Sequence, residues 1–353
     1  MKFNENESYY TCSALERGIR FTIEGVRCCS ASTLQSPPFI TAEEMAKGGI
    51  TYEYIINKKK ELFEAINNND IEKAGDCLKC HLLHKKPYKE IDFGYIGGAP
   101  DGCSSFNIAH YSICNLRCKF CVYTVENNFL PPQYDNIIEY IEEYRKNNKI
   151  LPNTWVDYNG GEPTLLANFE EILNYLISLN IGEIGVYSNC VKYSETICNS
   201  LAENKIVLIT SIDSGTRETF KQIKGADVYD KVIGNIKKYQ ENDNHSMMFK
   251  FIICEENMND NDLFGFVKLV EDLKPNRIGI GPDFCFGIDE VPRHVVEFGA
   301  KLLFELNKVA INPIHIMTDY ACGDAKFIKY SKDIRDLVRE KFGSHVRIVE
   351  CKN

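Results

Sequence analysis

No long run of lysine or arginine occurs in the 353 residues, and the formal net charge is −9. An acidic chain without a basic patch offers no footprint for nucleic acid or an anionic membrane surface. Long apolar runs are missing as well: no stretch approaches the roughly 18 residues of a membrane span. Residues 1–10 are polar and acidic and carry no apolar run of the kind a secretory signal needs. Cysteine, by contrast, is abundant, with 15 in the chain. So many thiols without an export signal predict a cytoplasmic protein whose cysteines stay reduced and bind metal rather than form disulfides.

Three of them, Cys114, Cys118 and Cys121, fall within eight residues, spaced C-x3-C-x2-C. Thiolates are soft ligands that suit iron–sulfur clusters or zinc. A closed structural site takes four ligands. Three thiols in one loop therefore leave one metal without a protein ligand, and an open position is the mark of a catalytic metal site. The plainer alternative is a zinc loop, or a chance cluster in a cysteine-rich chain.

Around this loop the hydrophobic pattern alternates between period 2 and period 3.6. Strands are predicted over 105–111, 154–158, 184–188, 206–212, 247–253 and 277–281. Helices are predicted over 136–147, with Asp135 as N-cap, and over 169–179, 194–203, 228–240 and 260–273. Alternation of this kind gives an α/β fold: a parallel sheet with crossover helices, in six βα units. Ligands of such sheets bind at the carboxyl ends of the strands. There stand Asn159–Gly160–Gly161–Glu162–Pro163–Thr164, then Ser188–Asn189, then Ser211–Ile212–Asp213–Ser214.

The cysteine loop, with Phe120 before its last thiol, resembles the cluster loop of the radical S-adenosylmethionine (SAM) enzymes. Gly160–Gly161–Glu162–Pro163, about 40 residues later, resembles the family's GGEP turn. The resemblance implies a partial (β/α)6 TIM-like barrel in which Cys114, Cys118 and Cys121 hold three irons of a [4Fe–4S] cluster. SAM would chelate the fourth iron, with Phe120 beside the adenine. Gly160, Gly161, Glu162 and Pro163 would bind the methionyl ammonium. Asn189, Ser211 and Asp213 would hold the ribose and carboxylate, and Arg217 would pair with that carboxylate. The alternative makes Ser211, Asp213 and Ser214 caps of a helix over 216–222. Cys285, after the sixth strand, is a candidate hydrogen-atom donor or else a small buried hydrophobe. Glu255 and Asp283 are candidates for a base or a substrate contact. Arg117 and Lys119 are candidates for tuning cluster charge or meeting a reductase such as flavodoxin or ferredoxin.

The first hundred residues hold Cys12, the pair Cys28–Cys29, and Cys77 with Cys80. A hairpin over 18–27, turning at Glu24–Gly25, and a helix over 51–67 lie between them. This order resembles the auxiliary-cluster module called SPASM or, in its short form, twitch, placed here ahead of the core. It implies a second [4Fe–4S] cluster on Cys12, one of Cys28 or Cys29, Cys77 and Cys80; zinc is the alternative. Residues 77–81 also match the c-type haem pattern C-x-x-C-H, which the missing export signal argues against. His81 and His84 then read as surface histidines. The Gly- and Pro-rich stretch 85–101 reads as a linker. The predicted organisation is 1–100 auxiliary domain, 101–290 core, and 291–353 a segment closing the barrel, with an amphipathic helix over 292–306, a strand over 313–317, a helix over 334–342, and Cys322 and Cys351 standing alone.

The expected activity is reductive cleavage of SAM and hydrogen abstraction from a peptide or a sugar-like small metabolite, ending in oxidation, epimerisation or crosslinking. A non-catalytic zinc-binding interaction protein is the rival. An oxygen-sensitive cluster would also suggest an anaerobic or microaerophilic source.

Overall fold

The computed structural model describes residues 3–29, 36–80, 82–98, 106–241, 246–286, 290–317, 325–343 and 347–349. His81, Cys322 and Cys351 lie outside them. The chain opens with β1 (Ser8–Thr11), α1 (Ser13–Arg17) and the hairpin β2 (Ile19–Thr22)–β3 (Gly25–Arg27). Next come β4 (Ile40–Thr41), α2 (Ala42–Lys47), α3 (Tyr52–Asn67), α4 (Ile71–Ala74) and β5 (His84–Pro87), which pairs antiparallel with β1. Strands and helices then alternate through β6 (Phe106–Ala109), α5 (Val122–Val125), α6 (Ile137–Lys146), β7 (Trp155–Tyr158), α7 (Phe169–Ser178), β8 (Glu183–Tyr187) and α8 (Glu195–Ala202). After them stand β9 (Val207–Ser211), α9 (Arg217–Lys224), α10 (Tyr229–Tyr239), β10 (Met247–Ile253) and α11 (Asp260–Leu273). The last elements are β11 (Arg277–Pro282), α12 (Arg293–Val309), β12 (Ile314–Ile316), α13 (Ala325–Phe342) and β13 (Ile348–Val349).

One sheet runs β13-β12-β11-β10-β9-β8-β7-β6-β2-β3-β4. Every neighbouring pair from β2 to β13 is parallel. Strands laid down in chain order, each through a right-handed crossover, put their helices on one face and curl the sheet toward a barrel. Among the described residues no pairing joins the two edges, so the barrel is open. The α/β partial-barrel expectation holds.

Three expectations change. The hairpin is not a separate sheet: β2 pairs in parallel with β6, from Ile19 against Phe106 to Thr22 against Ala109. Phe21 packs on Phe106 at 5.8 Å and on Tyr140 of α6 at 5.1 Å, so the first hundred residues share the core's sheet and interior. Second, 85–98 is no linker. Tyr88 and Phe93 pack on Phe63 of α3 at 5.9 and 5.4 Å, and Ile96 is buried and bridges to Ile150. Apolar residues scattered among Gly and Lys were enough to anchor the stretch. Third, Asn136 rather than Asp135 takes the N-cap position of α6, without a side-chain cap bond.

The two faces of the sheet differ in chemistry. The outer face carries Phe21, Phe106, Ile108, Val156, Ile184, Phe249 and Ile280, all buried under the helices. Alternate positions give the inner face Arg20, Asn107, Asp157, Tyr187, Lys250 and Arg277. Parallel strands covered on both sides are near-continuously apolar, so a polar inner face marks a ligand-facing interior. Arg277 at the start of β11 grips Glu183 at the start of β8 through two bonds of 2.7 and 2.6 Å. Strand spacing puts these strands about 14 Å apart on a flat sheet. The ion pair therefore reports the curl and struts the amino-terminal end of the barrel.

Burial pushes Asp157 up to about 6, against the opposing pull of Trp155, Tyr187 and Lys250. The folded carboxyl thus holds a proton between about pH 4 and 6 that the unfolded chain releases. Stability from this group grows as pH falls through 6 and is complete near 4. Asp157→Asn is expected to be more stable than wild type at pH 7.5, by on the order of 1–2 kcal/mol. The variant should also lack the wild type's gain on acidification to pH 5, as thermal melts across that range will show.

Candidate metal and cofactor site

Ser112 starts the cysteine loop. Its backbone N–H donates to the Leu130 carbonyl, its hydroxyl donates to the Asn128 carbonyl at 2.7 Å, and Leu130 N–H donates back to that hydroxyl at 2.7 Å. The segment 112–130 is thereby closed into a loop. Its middle is pinned to the end of α9: Arg117 N–H donates to the Lys224 carbonyl at 3.0 Å and Lys119 N–H to Ile223 at 2.9 Å. Gly225 ends that helix at φ +71°, and a Cβ there would sit 3.0 Å from the Arg117 carbonyl oxygen. The Arg117 guanidinium donates to the carbonyls of Cys114 and Leu116 and lies 3.7 Å above the Phe129 ring. It braces the loop from within. Lys119 is half-exposed and pairs with Glu256 at 2.5 Å.

Cys114, Cys118 and Cys121 are partly exposed on this braced loop. Burial pushes the Cys118 thiol up to about 11, and the Lys224 ammonium pulls against it. Among the described residues no three His, Cys, Asp or Glu side chains stand close enough to chelate a single ion. A four-iron cluster takes its thiolates on different irons and suits a wider triangle.

The Gly160–Gly161 turn lies directly on the chain entering this loop. A Cβ on Gly161 would sit 2.0 Å from the Ile113 carbonyl oxygen, and one on Gly160, which stands at φ +103°, would sit 2.9 Å from that of Tyr111. Gly161 N–H and Glu162 N–H donate to the Tyr111 and Ile113 carbonyls. The two glycines thus set the spacing between turn and cysteine loop.

Glu162 is held by partners within the protein. Its carboxylate is buried and already accepts from Thr164 Oγ1 at 2.6 Å, Thr164 N at 3.2 Å, Ser188 Oγ at 2.9 Å and Asn189 N at 2.7 Å. These bonds tie the end of β8 to the glycine turn. Pro163 is buried at the start of a 3-10 turn. Asn189 touches the cluster loop, its Nδ2 donating to Asn115 Oδ1 at 2.7 Å and reaching Cys114 Sγ at 3.7 Å.

Asp213 also turns inward. It stands at φ +56°, wholly buried, with Oδ1 accepting from Ile252 N at 2.7 Å and Oδ2 bonded to Lys224. Lys224, equally buried, lies 5.4 Å over the Phe120 ring. Burial lowers the Lys224 ammonium, but Asp213 and the Cys118 sulfur outweigh it and raise it. Sequence reasoning missed this lysine. Its one signal is the i, i+4 spacing from Phe220, which puts both on the buried face of α9.

Arg217 is exposed and pairs with Asp227 at 2.8 Å and Asp230 at 3.0 Å. Thr216, rather than Ser211, Asp213 or Ser214, caps α9, accepting from Thr219 N. Ser211 is half-buried on the inner face. Cys285 is exposed on the turn after β11, a poor seat for a hydrogen-atom donor that must meet a radical in a dry pocket. Glu255 is exposed, and Asp283 Oδ1 accepts from Cys285 N at 3.2 Å.

The amino-terminal thiols converge. Cys12, Cys28, Cys29, Cys77 and Cys80 line a single cavity. Residues brought from positions 12 to 80 meet because α1 and α4 both pack on α3 and the 3-10 turn Gly75–Lys79 packs on α4. Burial raises Cys12 and Cys77 to about 12. Beside them Lys59 is wholly buried, its Nζ donating to the Glu16 carbonyl at 3.2 Å.

A sequentially wound α/β sheet with an open three-thiol loop at the carboxyl ends of its strands defines the class of the protein. Residues 108–270 match the radical SAM superfamily. A probable GTP 3′,8-cyclase of Saccharolobus islandicus is 27% identical over 168 residues, 47% of this chain and 52% of the relative. That of Sulfurisphaera tokodaii is 28% identical over 155 residues, 42% of this chain and 47% of its own. The chain spans about half the length of the curated relatives it matches. Among solved structures, SuiB of Streptococcus suis has a TM-score of 0.48 at 14% identity, covering 85% of this chain and 70% of that one. The AdoMet-bound anSMEcpe has 0.46 at 20%, covering 58% and 59%. No helix among the described residues is long and apolar enough to cross a membrane.

Proposed function

We propose that this chain is a radical SAM enzyme in which Cys114, Cys118 and Cys121 hold three irons of a [4Fe–4S] cluster and SAM takes the fourth. When bound, that group supplies a 5′-deoxyadenosyl radical able to take hydrogen from an unactivated C–H bond. The observation that carries the reading is the braced loop. Arg117 satisfies its inner carbonyls, Lys224 brings a positive charge to Cys118, and the Gly160–Gly161 turn lies against its entrance without side chains. A cation beside a thiol favours the thiolate that a metal requires. Phe120 and the backbone of 160–161 form the cradle for SAM, and the exposed Lys119–Glu256 edge is where a flavodoxin- or ferredoxin-like donor would approach.

We further propose a second [4Fe–4S] cluster on Cys12, Cys77, Cys80 and one of the Cys28–Cys29 pair. The substrate, a peptide or a sugar- or nucleotide-linked metabolite, enters the polar inner face. Anaerobic reconstitution with iron and sulfide should give about two clusters per chain. A Cys114/Cys118/Cys121→Ala triple variant should keep about half of the iron; loss of all of it would remove the second site.

A further inference from the structure

One row of the inner face is unused by the sites above. Register sets Arg20 of β2 beside Asn107 of β6, and Asn107 beside Asp157 of β7. Their neighbours in each strand, Phe21, Phe106, Ile108 and Val156, pack outward, so all three project into the barrel. The Asp157 carboxylate confirms that direction: a Cβ on Gly185 of the adjacent strand would meet it at 3.3 Å, together with Ile209 and Tyr187.

Arg20 is largely buried, and its Nε is sealed off without an acceptor. The acid among its electrostatic neighbours, Glu24, is already taken by Arg27 at 3.2 Å and Thr22 at 3.1 Å. On the adjacent strand Asn107 Oδ1 is buried and also unpaired. A folded chain pairs nearly all its buried polar groups, and a cation left without a counter-charge is the costliest exception. Here a guanidinium Nε and an amide oxygen, both buried without partners, stand on adjacent strands of the same inner face.

The place is as telling as the chemistry. The electrostatic neighbours of Arg20 are Tyr123, two residues beyond Cys121, then Arg27, Cys29 of the amino-terminal cavity, and Glu24. Tyr123 in turn neighbours Cys121. The guanidinium is therefore near a residue of each cysteine region.

We infer that Arg20 and Asn107 anchor the substrate, and that the substrate carries an oxyanion, a carboxylate or a phosphate, next to an amine, amide or hydroxyl donor. The planar guanidinium matches such an oxyanion through two parallel bonds, and Asn107 Oδ1 accepts from the adjoining donor. This deepens the radical SAM reading, on which the identity of the bound molecule as a substrate depends. The anion site itself stands on Arg20 and Asn107.

The test uses the reconstituted full chain with pyrophosphate and N-acetylglycine as probes, followed by thermal melts and calorimetric titration. At least one probe should raise the wild-type melting temperature, by linkage. A response to pyrophosphate alone identifies a phosphorylated substrate; a response to N-acetylglycine alone identifies a carboxylate. Arg20→Met should weaken the responding probe at least tenfold. Without probe it should also melt above wild type, because an uncompensated buried charge has been replaced by an apolar chain of similar length. Arg20→Lys, which keeps the charge but not the fork, should weaken the probe as well. Arg217→Met, which removes an exposed arginine paired elsewhere, should respond as wild type. The inference is overturned if neither probe binds wild type, if both Arg20 variants bind undiminished, or if Arg20→Met melts lower than wild type, as a structural arginine would require. Deoxyadenosine formation by wild type without probe reports on the SAM site alone. Anion binding without cleavage would therefore refute the radical SAM reading and leave this site standing, and cleavage without anion binding the reverse.

Discussion

Lys224→Met is expected to destabilise the protein by about 3–5 kcal/mol, the usual cost of removing one partner of a buried ion pair. The carboxylate of Asp213 would be left wholly buried with a single backbone donor, Ile252 N, and no counter-charge. Asp213→Asn in the same chain should recover most of that loss, since a neutral amide needs no cation and keeps the Ile252 bond through its oxygen. Equilibrium denaturation of the four species of this double-mutant cycle measures the coupling. Lys224→Met should have a second consequence. With the positive charge beside Cys118 gone, the cluster on this loop should be harder to reduce, so its midpoint potential falls in Lys224→Met, and Asp213→Asn, which removes an opposing negative charge, should return it part of the way. Additive losses, or an unchanged potential, would show that Lys224 is only a packing residue.

Gly161→Ala is expected to be the most damaging change of a single methyl group. Its Cβ would land 2.0 Å from the Ile113 carbonyl oxygen, and the atoms in the way are backbone. Neither segment can relax cheaply. Gly161 and Glu162 donate to the carbonyls of 111 and 113, and Glu162 is fastened to Ser188 and Asn189. Overpacking of a tight core position costs about 1–3 kcal/mol. Here the displaced element is the chain leading to Cys114, so iron on the cysteine loop should fall well below wild type while the amino-terminal iron stays. Iron quantitation in the Gly161→Ala and Gly234→Ala variants separates the two effects, because a Cβ on Gly234 meets nothing within 4 Å. Equal iron in both would mean that the turn does not set the geometry of the loop.

Much of this architecture could be read from the chain because its signals are local. β10 (Met247–Ile253) and α11 (Asp260–Leu273) fall where the periodicity places them, and the three-thiol spacing marks its own loop. The five amino-terminal cysteines were also legible as a set, although their meeting depends on contacts across some sixty-five residues. What escaped was set by distant partners. Glu162 carries the right motif, but its bonds to Ser188 and Asn189, 26 and 27 residues further on, leave no mark in the local pattern. Arg217 looked like a ligand fork until Asp227 and Asp230 came round on the start of α10. Lys224 reads as an ordinary surface lysine at a helix end and becomes buried only because the cysteine loop folds over it. Arg20 has meaning only through strand register, which no local pattern specifies. The hairpin that bears it was expected to belong to a separate domain and instead extends the core sheet.

The central claim is that Cys114, Cys118 and Cys121 leave one iron open for SAM. The direct measurement is 5′-deoxyadenosine formed from SAM and dithionite by the anaerobically reconstituted chain, beside its Cys118→Ala variant. Wild type should form the product, and the variant should form none while keeping the iron of the amino-terminal cavity. Product formed undiminished by Cys118→Ala, or none formed by wild type carrying full iron, would contradict the account.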